Sequence, residues 1–331
     1  MLDLPSESLV ALAKPMIPSW ASALAPCVID SRMIALAAGA RAGLDLARSD
    51  GLGMATADVQ HATRLSAEEF RSSVAEVIAL VLDGLSECGF PHPVRMWNFV
   101  PGIHACMGDG LDRYRVFNLG RFDAFSRCFG GARPEAFAQR LPAASAVGHQ
   151  GEHLVVCALG SLTPGVPVEN PRQTPSFGYS QVYGPKPPCF ARATVARMPA
   201  GTRLLVSGTA SIRGEDSVHE GSLNAQLEET FKNLDGLFRN VRGEERFELS
   251  GIENARVYFP RAVDCGPLAT GVLARFPATA SVEFFPAAVC RAELLVEIEA
   301  TLAPSPRESV SYTHLRAHET KANLVCRLLL E

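Results

Sequence analysis

The order of apolar segments along this chain repeats itself, and that repetition restricts the possible folds more than any other feature. Apolar residues recur with strand or helix periodicity in the order strand, helix, strand, helix, strand, and the same order then follows a second time. The predicted helices begin near Ala67 and Asp112 in the first half and near Ser222 and Pro267 in the second, about 155 positions later in both cases. An internal duplication explains this spacing. The predicted elements are Arg32–Ala38, Ala67–Cys88, Val94–Val100, Asp112–Phe129 and His153–Leu159, then Arg203–Ile212, Ser222–Arg239, Ala255–Phe259, Pro267–Phe276 and Leu294–Leu302.

Two domains of ordinary size fit into the 331 residues of the chain. Hydrophobic residues make up 47% and charged residues 20%, which favours packed cores over disorder. Each half is predicted to be α+β, with a mixed β-sheet covered on one face by two helices. The predicted segments are an N-terminal extension (1–30), a first domain (31–160), a linker rich in Pro and Gly (161–188), a second domain (189–309) and a separate tail (310–331).

Charge and cysteine usage exclude several classes of partner. The formal net charge is −4 and the chain has no basic stripe, so no nucleic-acid partner is expected. No apolar run reaches the roughly 18 residues that a membrane span needs. The nine Cys residues are scattered singly, without a CxxC pair, and this pattern favours a cytoplasmic protein with reduced thiols. An anionic ligand would therefore need a local cluster of Arg.

The C-terminal tail has an unusual composition. Two pieces of Val310–Glu331, SYTHLRAHET and NLVCRLLLE, look like the translation of a sequencing adapter on either side of an index. We interpret the tail as a read-through scar and exclude it from the reasoning about the fold. The alternative is a genuine C-terminal helix, since ANLVCRLLLE has a helix-like composition.

Two carboxylates on the last predicted strand are the first candidates for chemistry. Glu297 and Glu299 lie two residues apart, and the period of a strand places both on one face. One carboxyl could point into a cavity and act as a general acid. The alternative is a pair of solvated strand carboxylates.

Several Arg and Tyr residues could bind a carboxylate. Arg offers a planar fork that matches a carboxylate bidentately, and phenols add directional hydrogen bonds and an apolar wall. The alternatives are an ordinary surface turn for the linker residues and a local pair with Asp112 for one Arg. The candidates are Arg172, Tyr179 and Tyr183 from the linker, Arg261 after the RVYF strand, and Arg115 in LDRYRVFNLGR.

Three segments carry a family resemblance. They are VENPRQTPSFGYSQVYGPKPPCFAR (Val168–Arg192), LLVSGTASIRGEDSVHEGSLNAQLEETFKNL within Arg203–Leu237, and LLVEIEA (Leu294–Ala300). Together they resemble the chorismatases, enzymes that release pyruvate from chorismate, over about Arg95 to Ala300. The last two segments also resemble the smaller Rid (YjgF-like) proteins, so the resemblance implies two Rid-like halves.

The resemblance also implies a site and a reaction. Glu297 matches the glutamate that chorismatases use as an acid, with Glu299 as a bystander, and Arg172, Tyr179, Tyr183, Arg261 and Arg115 would bind the substrate. Cys290 and Ala210 match positions that vary between subtypes with different products. The reaction would need no cofactor and no metal, and would yield pyruvate with 3-hydroxybenzoate or a dihydroxycyclohexadiene carboxylate, serving secondary metabolism.

Two other functions stay open at this stage. One is a Rid-like hydrolase of imines or other reactive metabolites, although Thr279 stands where the Rid deaminases carry an Arg. The other is a non-catalytic module that binds a small carboxylate. The expected partner is a small molecule, chorismate, and the chain is expected to be a monomer or a homotrimer.

Overall fold

The computed structural model describes residues 16–24, 27–130 and 138–305. Within these ranges, the first half contains a short helix α1, six strands and two longer helices. Within the same ranges, the second half contains six strands of a second sheet, a small hairpin (β10–β11) and two helices. The elements of the first half are α1 (Ser19–Leu24), β1 (Cys27–Ala35), β2 (Arg41–Ser49), β3 (Leu52–Val59), α2 (Ala67–Glu87), β4 (His92–Pro101), α3 (Arg113–Cys128), β5 (Ala143–His149) and β6 (Leu154–Ser161). Those of the second half are β7 (Val166–Val168), β8 (Ala193–Met198), β9 (Gly201–Ala210), β10 (Ile212–Arg213), β11 (Asp216–Ser217), α4 (Leu223–Arg239), β12 (Ile252–Phe259), α5 (Cys265–Leu273), β13 (Ser281–Pro286) and β14 (Glu297–Leu302).

The two six-stranded sheets have the same topology. The first has the order β1-β2-β3-β6-β4-β5 and the second the order β7-β8-β9-β14-β12-β13. In each sheet one pair is parallel, β4 with β5 and β12 with β13, and the other pairs are antiparallel. The predicted α+β class and the repeated order of elements are confirmed. The domain boundaries stay predictions.

Several strands were missed or misplaced in the sequence analysis. Strands β2, β3, β5, β7, β8, β11 and β13 were not predicted, and the first predicted strand lies earlier, at Cys27–Ala35. Periodicity fails for β3 because its side chains are all buried while several are small or polar, as in LGMATADV. The last strand begins at Glu297 rather than Leu294.

Local capping sets where the long helices begin. Ser66 forms a capping box with Glu69 at the start of α2, and each residue's side chain accepts a hydrogen bond from the backbone of the other. Asp112 accepts a hydrogen bond from the Arg115 backbone N at the start of α3. Ser222 caps α4 as predicted, by accepting a hydrogen bond from the Ala225 backbone N.

Three apolar cores define the layers. One core lies between the first sheet and helices α2 and α3, and an equivalent core lies between the second sheet and helices α4 and α5. A third core packs the two sheets against each other and includes Trp97 of β4, Leu205 of β9 and Tyr258 of β12. The order of layers is therefore helix, sheet, sheet, helix, and polar residues between the sheets are shielded from solvent.

The predicted tail (310–331) and the first part of the predicted N-terminal extension lie outside the described residues. Within the described ranges, no helix is both long enough and apolar enough to cross a membrane.

Candidate active site

A cavity of about 350 Å³ lies where the two halves meet. The start of α3 forms one wall, the linker between the halves forms another, and β9 together with the segment before β14 closes the rest. Among the residues predicted from the sequence, the cavity is lined by Glu297, Arg115, Tyr179, Tyr183, Cys290 and Ala210.

Glu297 is a buried carboxylic acid at the start of β14. It is 4% exposed, and it lies in register with Ala210 of β9 and Tyr258 of β12. Burial raises the pKa of its carboxyl to about 8, the charge of Glu299 adds to this rise, and Arg95 opposes it. The side chain makes no hydrogen bond to any residue in the described ranges. Glu297 is therefore protonated at neutral pH and free to give its proton to a ligand.

Gly208 of β9 makes the room that Glu297 occupies. A Cβ atom at this position would lie 1.8 Å from Oε1 of Glu297. The backbone N of Gly208 also donates a hydrogen bond of 3.0 Å to the Ser145 hydroxyl in the first sheet. The position therefore needs glycine because of close approach to the acid. Gly208 was not predicted as a site residue, although an isolated Gly within a strand pattern often marks a place where another group approaches the backbone closely.

The variant Gly208→Ala tests this close approach. The added methyl group must displace the Glu297 carboxyl, so we expect activity to fall by about tenfold or more while the protein stays folded. Turnover measured beside a thermal unfolding curve checks both parts. Full activity in a folded Gly208→Ala protein would show that the position of Glu297 does not depend on this glycine.

Glu299 lies on the same face of β14, as predicted, but it belongs to a different environment. Its carboxylate accepts hydrogen bonds from Nη2 of Arg95 at 2.6 Å, Nε1 of Trp97 at 3.0 Å and the hydroxyl of Ser145 at 2.5 Å. Arg95 and Glu299 are both almost fully buried between the two sheets. Glu299 is thus the salt-bridge partner of Arg95 and does not line the cavity.

Arg192 was missed by the sequence analysis although it lines the cavity. It is 5% exposed, and its Nη2 donates hydrogen bonds to the Thr174 carbonyl at 2.7 Å and the Tyr179 hydroxyl at 2.8 Å. Its buried Nε has no hydrogen-bond partner within the described part of the chain. A buried guanidinium with an unused N–H is suited to an anionic ligand.

Arg291 was also missed, although it follows Cys290 directly. Its guanidinium lies over the Tyr183 ring at 3.9 Å from the ring centroid and approaches the Tyr179 ring at 5.6 Å. Its Nη1 donates a hydrogen bond of 3.1 Å to the Ser217 hydroxyl. Arg291 lines the cavity, so a second cation faces the ligand.

Arg115 is the third Arg of the cavity and is more exposed than Arg192. Its side chain is 36% exposed and lies 4.0 Å from the Asp112 carboxylate, the local pair that the sequence left open. Arg115 therefore lies at the rim, whereas Arg192 lies deeper in the wall.

Arg172 and Arg261 do not line the cavity. Arg172 donates hydrogen bonds to the fully buried Glu229 at 2.5 Å and to Asn233 at 2.9 Å. Arg261 forms a bidentate pair with Asp264, at 2.7 and 2.8 Å. Both guanidinium groups already have anionic partners elsewhere, and a role for them in binding the ligand stays a prediction.

Cys290 and Ala210 both line the cavity together with Glu297. The pKa of the Cys290 thiol is raised to about 12, chiefly by burial and then by the charge of Glu297, so the thiol stays neutral. Ala210 faces Glu297 across the β9–β14 ladder. Both residues are positioned to shape the ligand's space rather than to react.

Metal ligation has no support in the described ranges, where no group of three or more His, Cys, Asp or Glu residues could hold a metal ion. The fold and the cavity define a duplicated α+β protein with a protonated carboxyl facing an arginine-lined cavity between its halves.

Comparison with known proteins places this architecture in a family. The profile of the N-terminal domain of FkbO/Hyg5-like chorismatases matches residues 33–160. A chorismatase from Streptomyces rapamycinicus is 32% identical over 247 residues, which is 71% of each chain. The chain belongs to the chorismatase family.

Other relatives agree with this assignment. A chorismatase and a 3-hydroxybenzoate synthase, both from Streptomyces hygroscopicus, are 36% and 34% identical over 65% of this chain. The matched parts span 62% and 64% of those two relatives, just under two thirds of their length. A crystal structure of a chorismatase aligns with 83% of this chain and 80% of its own, with 29% identity and a TM-score of 0.70.

Proposed function

We propose that this protein cleaves the enolpyruvyl ether of chorismate and releases pyruvate. The observation that carries the proposal is Glu297, a buried carboxyl whose pKa is raised to about 8 at the wall of a cavity lined by three Arg residues. Membership of the chorismatase family supports the same substrate. A protein that only binds a dianion gains nothing from an acid in its cavity.

Glu297 acts as the general acid in this proposal. It donates its proton to the terminal methylene carbon of the enolpyruvyl group, which becomes a methyl group and leaves an oxocarbenium centre. Water adds to that centre, and the hemiketal collapses to pyruvate and the ring alcohol, while Glu297 regains a proton. Protonating carbon is demanding, and a positioned acid with a pKa near the working pH meets that demand.

The cations orient the substrate. Chorismate carries two carboxylates, and Arg192 and Arg291 line the same cavity. Arg115 adds positive charge at the rim. Fixed cations convert binding energy into orientation of the enol ether against the acid.

We propose that the main ring product is 3-hydroxybenzoate. On this route the neighbouring ring hydroxyl, in place of water, captures the oxocarbenium centre and gives a cyclic ketal. Loss of a ring proton and cleavage of the bond between one ketal oxygen and the ring make the ring aromatic, and the hemiketal left on the phenol oxygen collapses to pyruvate and 3-hydroxybenzoate, with no net gain or loss of water. A curated relative with 34% identity bears the name 3-hydroxybenzoate synthase. Cys290 shapes the cavity wall close to Glu297, so we expect Cys290→Ala to shift the product ratio towards the non-aromatic diene diol. Chromatography of the products checks this, and diene diol alone from the unmodified protein would contradict the assignment.

The decisive experiment adds chorismate and measures pyruvate with a coupled lactate dehydrogenase reaction. Pyruvate release above the spontaneous rate is expected. Absence of pyruvate together with calorimetric binding of chorismate would favour the non-catalytic module over the enzyme. A monomeric or homotrimeric state and a cytoplasmic location remain predictions from the sequence.

A further inference from the structure

The hairpin β10–β11 borders the cavity wall without supplying a ligand-binding cation of its own. The backbones of Gly214 and the linker exchange hydrogen bonds, since Gly214 N donates to the Arg172 carbonyl and Thr174 N donates to the Gly214 carbonyl, each at 2.9 Å. Two consecutive side chains of β11, Asp216 and Ser217, then contact groups that surround Arg291.

Asp216 acts on Arg291 through Tyr183. The Tyr183 hydroxyl donates a hydrogen bond of 2.5 Å to the Asp216 carboxylate, while the Arg291 guanidinium lies over the face of the same ring. A phenol that donates to a carboxylate has a more electron-rich ring, and the contact with the cation is strengthened. The carboxylate also fixes the plane of the ring against which Arg291 lies.

Ser217 holds Arg291 from the other side. Its hydroxyl accepts a hydrogen bond from Nη1 of Arg291 at 3.1 Å and donates one to the Glu293 carboxylate at 2.6 Å. Within the described ranges, Nε and Nη2 of Arg291 make no hydrogen bond. The guanidinium is thus held by its face and by one nitrogen, and its other edge is left for the bidentate geometry that a carboxylate prefers.

We infer that Asp216 and Ser217 are positioning residues that hold Arg291 ready to bind a substrate carboxylate. The inference rests on the proposed function, because it takes the ligand to be a carboxylate in this cavity. Neither residue lines the cavity, so their effect is on the orientation of Arg291 and hence on affinity for the ligand.

The test compares Asp216→Ala and Ser217→Ala with a matched control, Glu215→Ala. Glu215 is the neighbouring carboxylate of the same hairpin, but within the described residues it accepts hydrogen bonds only from Ser180, at 2.6 and 2.8 Å. We expect KM for chorismate to rise about fivefold or more in the two β11 variants, with kcat changed by less than about twofold. Glu215→Ala should leave both constants unchanged, and Asp216→Asn, which keeps an acceptor oxygen for Tyr183, should retain most of the affinity.

A double-mutant cycle separates positioning from a general structural role. If Asp216 and Ser217 act through Arg291, then Asp216→Ala and Ser217→Ala should raise KM no further in an Arg291→Ala background. An equal additional rise in that background would overturn the inference, as would an unchanged KM in both single variants. Circular dichroism of each variant confirms that the comparison is made on folded protein.

A failure of the proposed function can be told apart from a failure of the inference about Asp216 and Ser217. If the unmodified protein released no pyruvate, the same variants would be compared by calorimetric titration with chorismate, and Kd would take the place of KM. An unchanged Kd in Asp216→Ala and Ser217→Ala would then overturn the inference. A lack of any binding by the unmodified protein would overturn both proposals.

Discussion

Replacing Glu297 with Gln should lower kcat for pyruvate release by about 10²-fold or more, because a positioned general acid contributes about 10²- to 10⁴-fold. The amide keeps the shape of the side chain but cannot give up a proton to carbon. KM should change little, since Arg192, Arg291 and Arg115 remain in the cavity wall. Steady-state kinetics on the folded variant checks both constants.

The matched control is Glu293→Gln, which changes the charge of a partly buried carboxyl in the same cavity. The Glu293 carboxylate already accepts a hydrogen bond from Ser217, and an amide oxygen can do the same. We expect this variant to lose less than about tenfold in kcat. Equal losses in the two variants would show that the loss reflects cavity charge and not proton donation by Glu297.

The pH dependence provides an independent test of the same acid. The pKa of Glu297 is raised to about 8, so the group carries its proton below that pH and loses it above. We expect kcat/KM to be constant from neutral pH to about 8 and to fall tenfold per unit at higher pH. An alkaline limb that persists unchanged in the residual activity of Glu297→Gln would show that another group is responsible.

The buried carboxyl of Glu297 should also make the free energy of unfolding depend on pH. Below about pH 4.5, Glu297 is neutral in both the folded and unfolded states. Between 4.5 and about 8 the unfolded chain ionises while the folded protein keeps the proton, so the unmodified protein loses stability as pH rises. Glu297→Gln should therefore melt at a higher temperature than the unmodified protein at pH 8, with the difference shrinking towards pH 5. A difference that does not vary with pH would contradict the raised pKa.

Replacing Glu299 with Gln should affect stability far more than a typical surface change. Arg95 would keep its charge between the two sheets without an ionised partner, and loss of one member of a buried pair costs about 3–5 kcal/mol. Chemical denaturation measures this as a lower free energy of unfolding. The family resemblance implied only that Glu299 is a bystander of the chemistry, and its contacts with Arg95, Trp97 and Ser145 add a structural role.

The control for this second prediction is Asp235→Asn. Asp235 pairs with Arg239 on the exposed side of α4, and such surface pairs contribute about 0–1 kcal/mol. If Glu299→Gln lowered the free energy of unfolding by a similarly small amount, the buried charge of Arg95 would not depend on Glu299 as its partner. At temperatures where Glu299→Gln stays folded, removal of the Glu299 charge should lower the pKa of Glu297 and move the alkaline limb to lower pH.

The helix starts and the shared face of the two glutamates could be predicted from the sequence, because both depend on residues that are close together along the chain. Ser222 caps its helix as predicted, and Glu297 and Glu299 share one face of β14 as the period of a strand requires. Strands β2 and β3 could not be predicted from the sequence. Their side chains are buried by the layer that covers them, and their residues do not alternate between apolar and polar.

The choice among arginines needed the tertiary structure. Arg172, Arg192, Arg261 and Arg291 are indistinguishable as residue types, and the resemblance favoured two that turned out to be paired elsewhere. The partner of each guanidinium comes from a distant part of the chain or from a turn whose geometry is not encoded by spacing. Of these four, Arg192 and Arg291 line the cavity and have N–H groups without a hydrogen-bond partner in the described part of the chain.

By itself, the sequence determined the duplicated α+β order, the helix starts and the shared face of the two glutamates, because local periodicity and capping decide these features. The tertiary structure separated the environments of the two glutamates. Arg95, Trp97 and Ser145 in the first sheet donate hydrogen bonds to Glu299. The space above Gly208 holds the Glu297 carboxyl, which has no hydrogen-bond partner within the described part of the chain. Desolvation and ion pairing depend on residues brought together from both halves, and no spacing along the chain reports them.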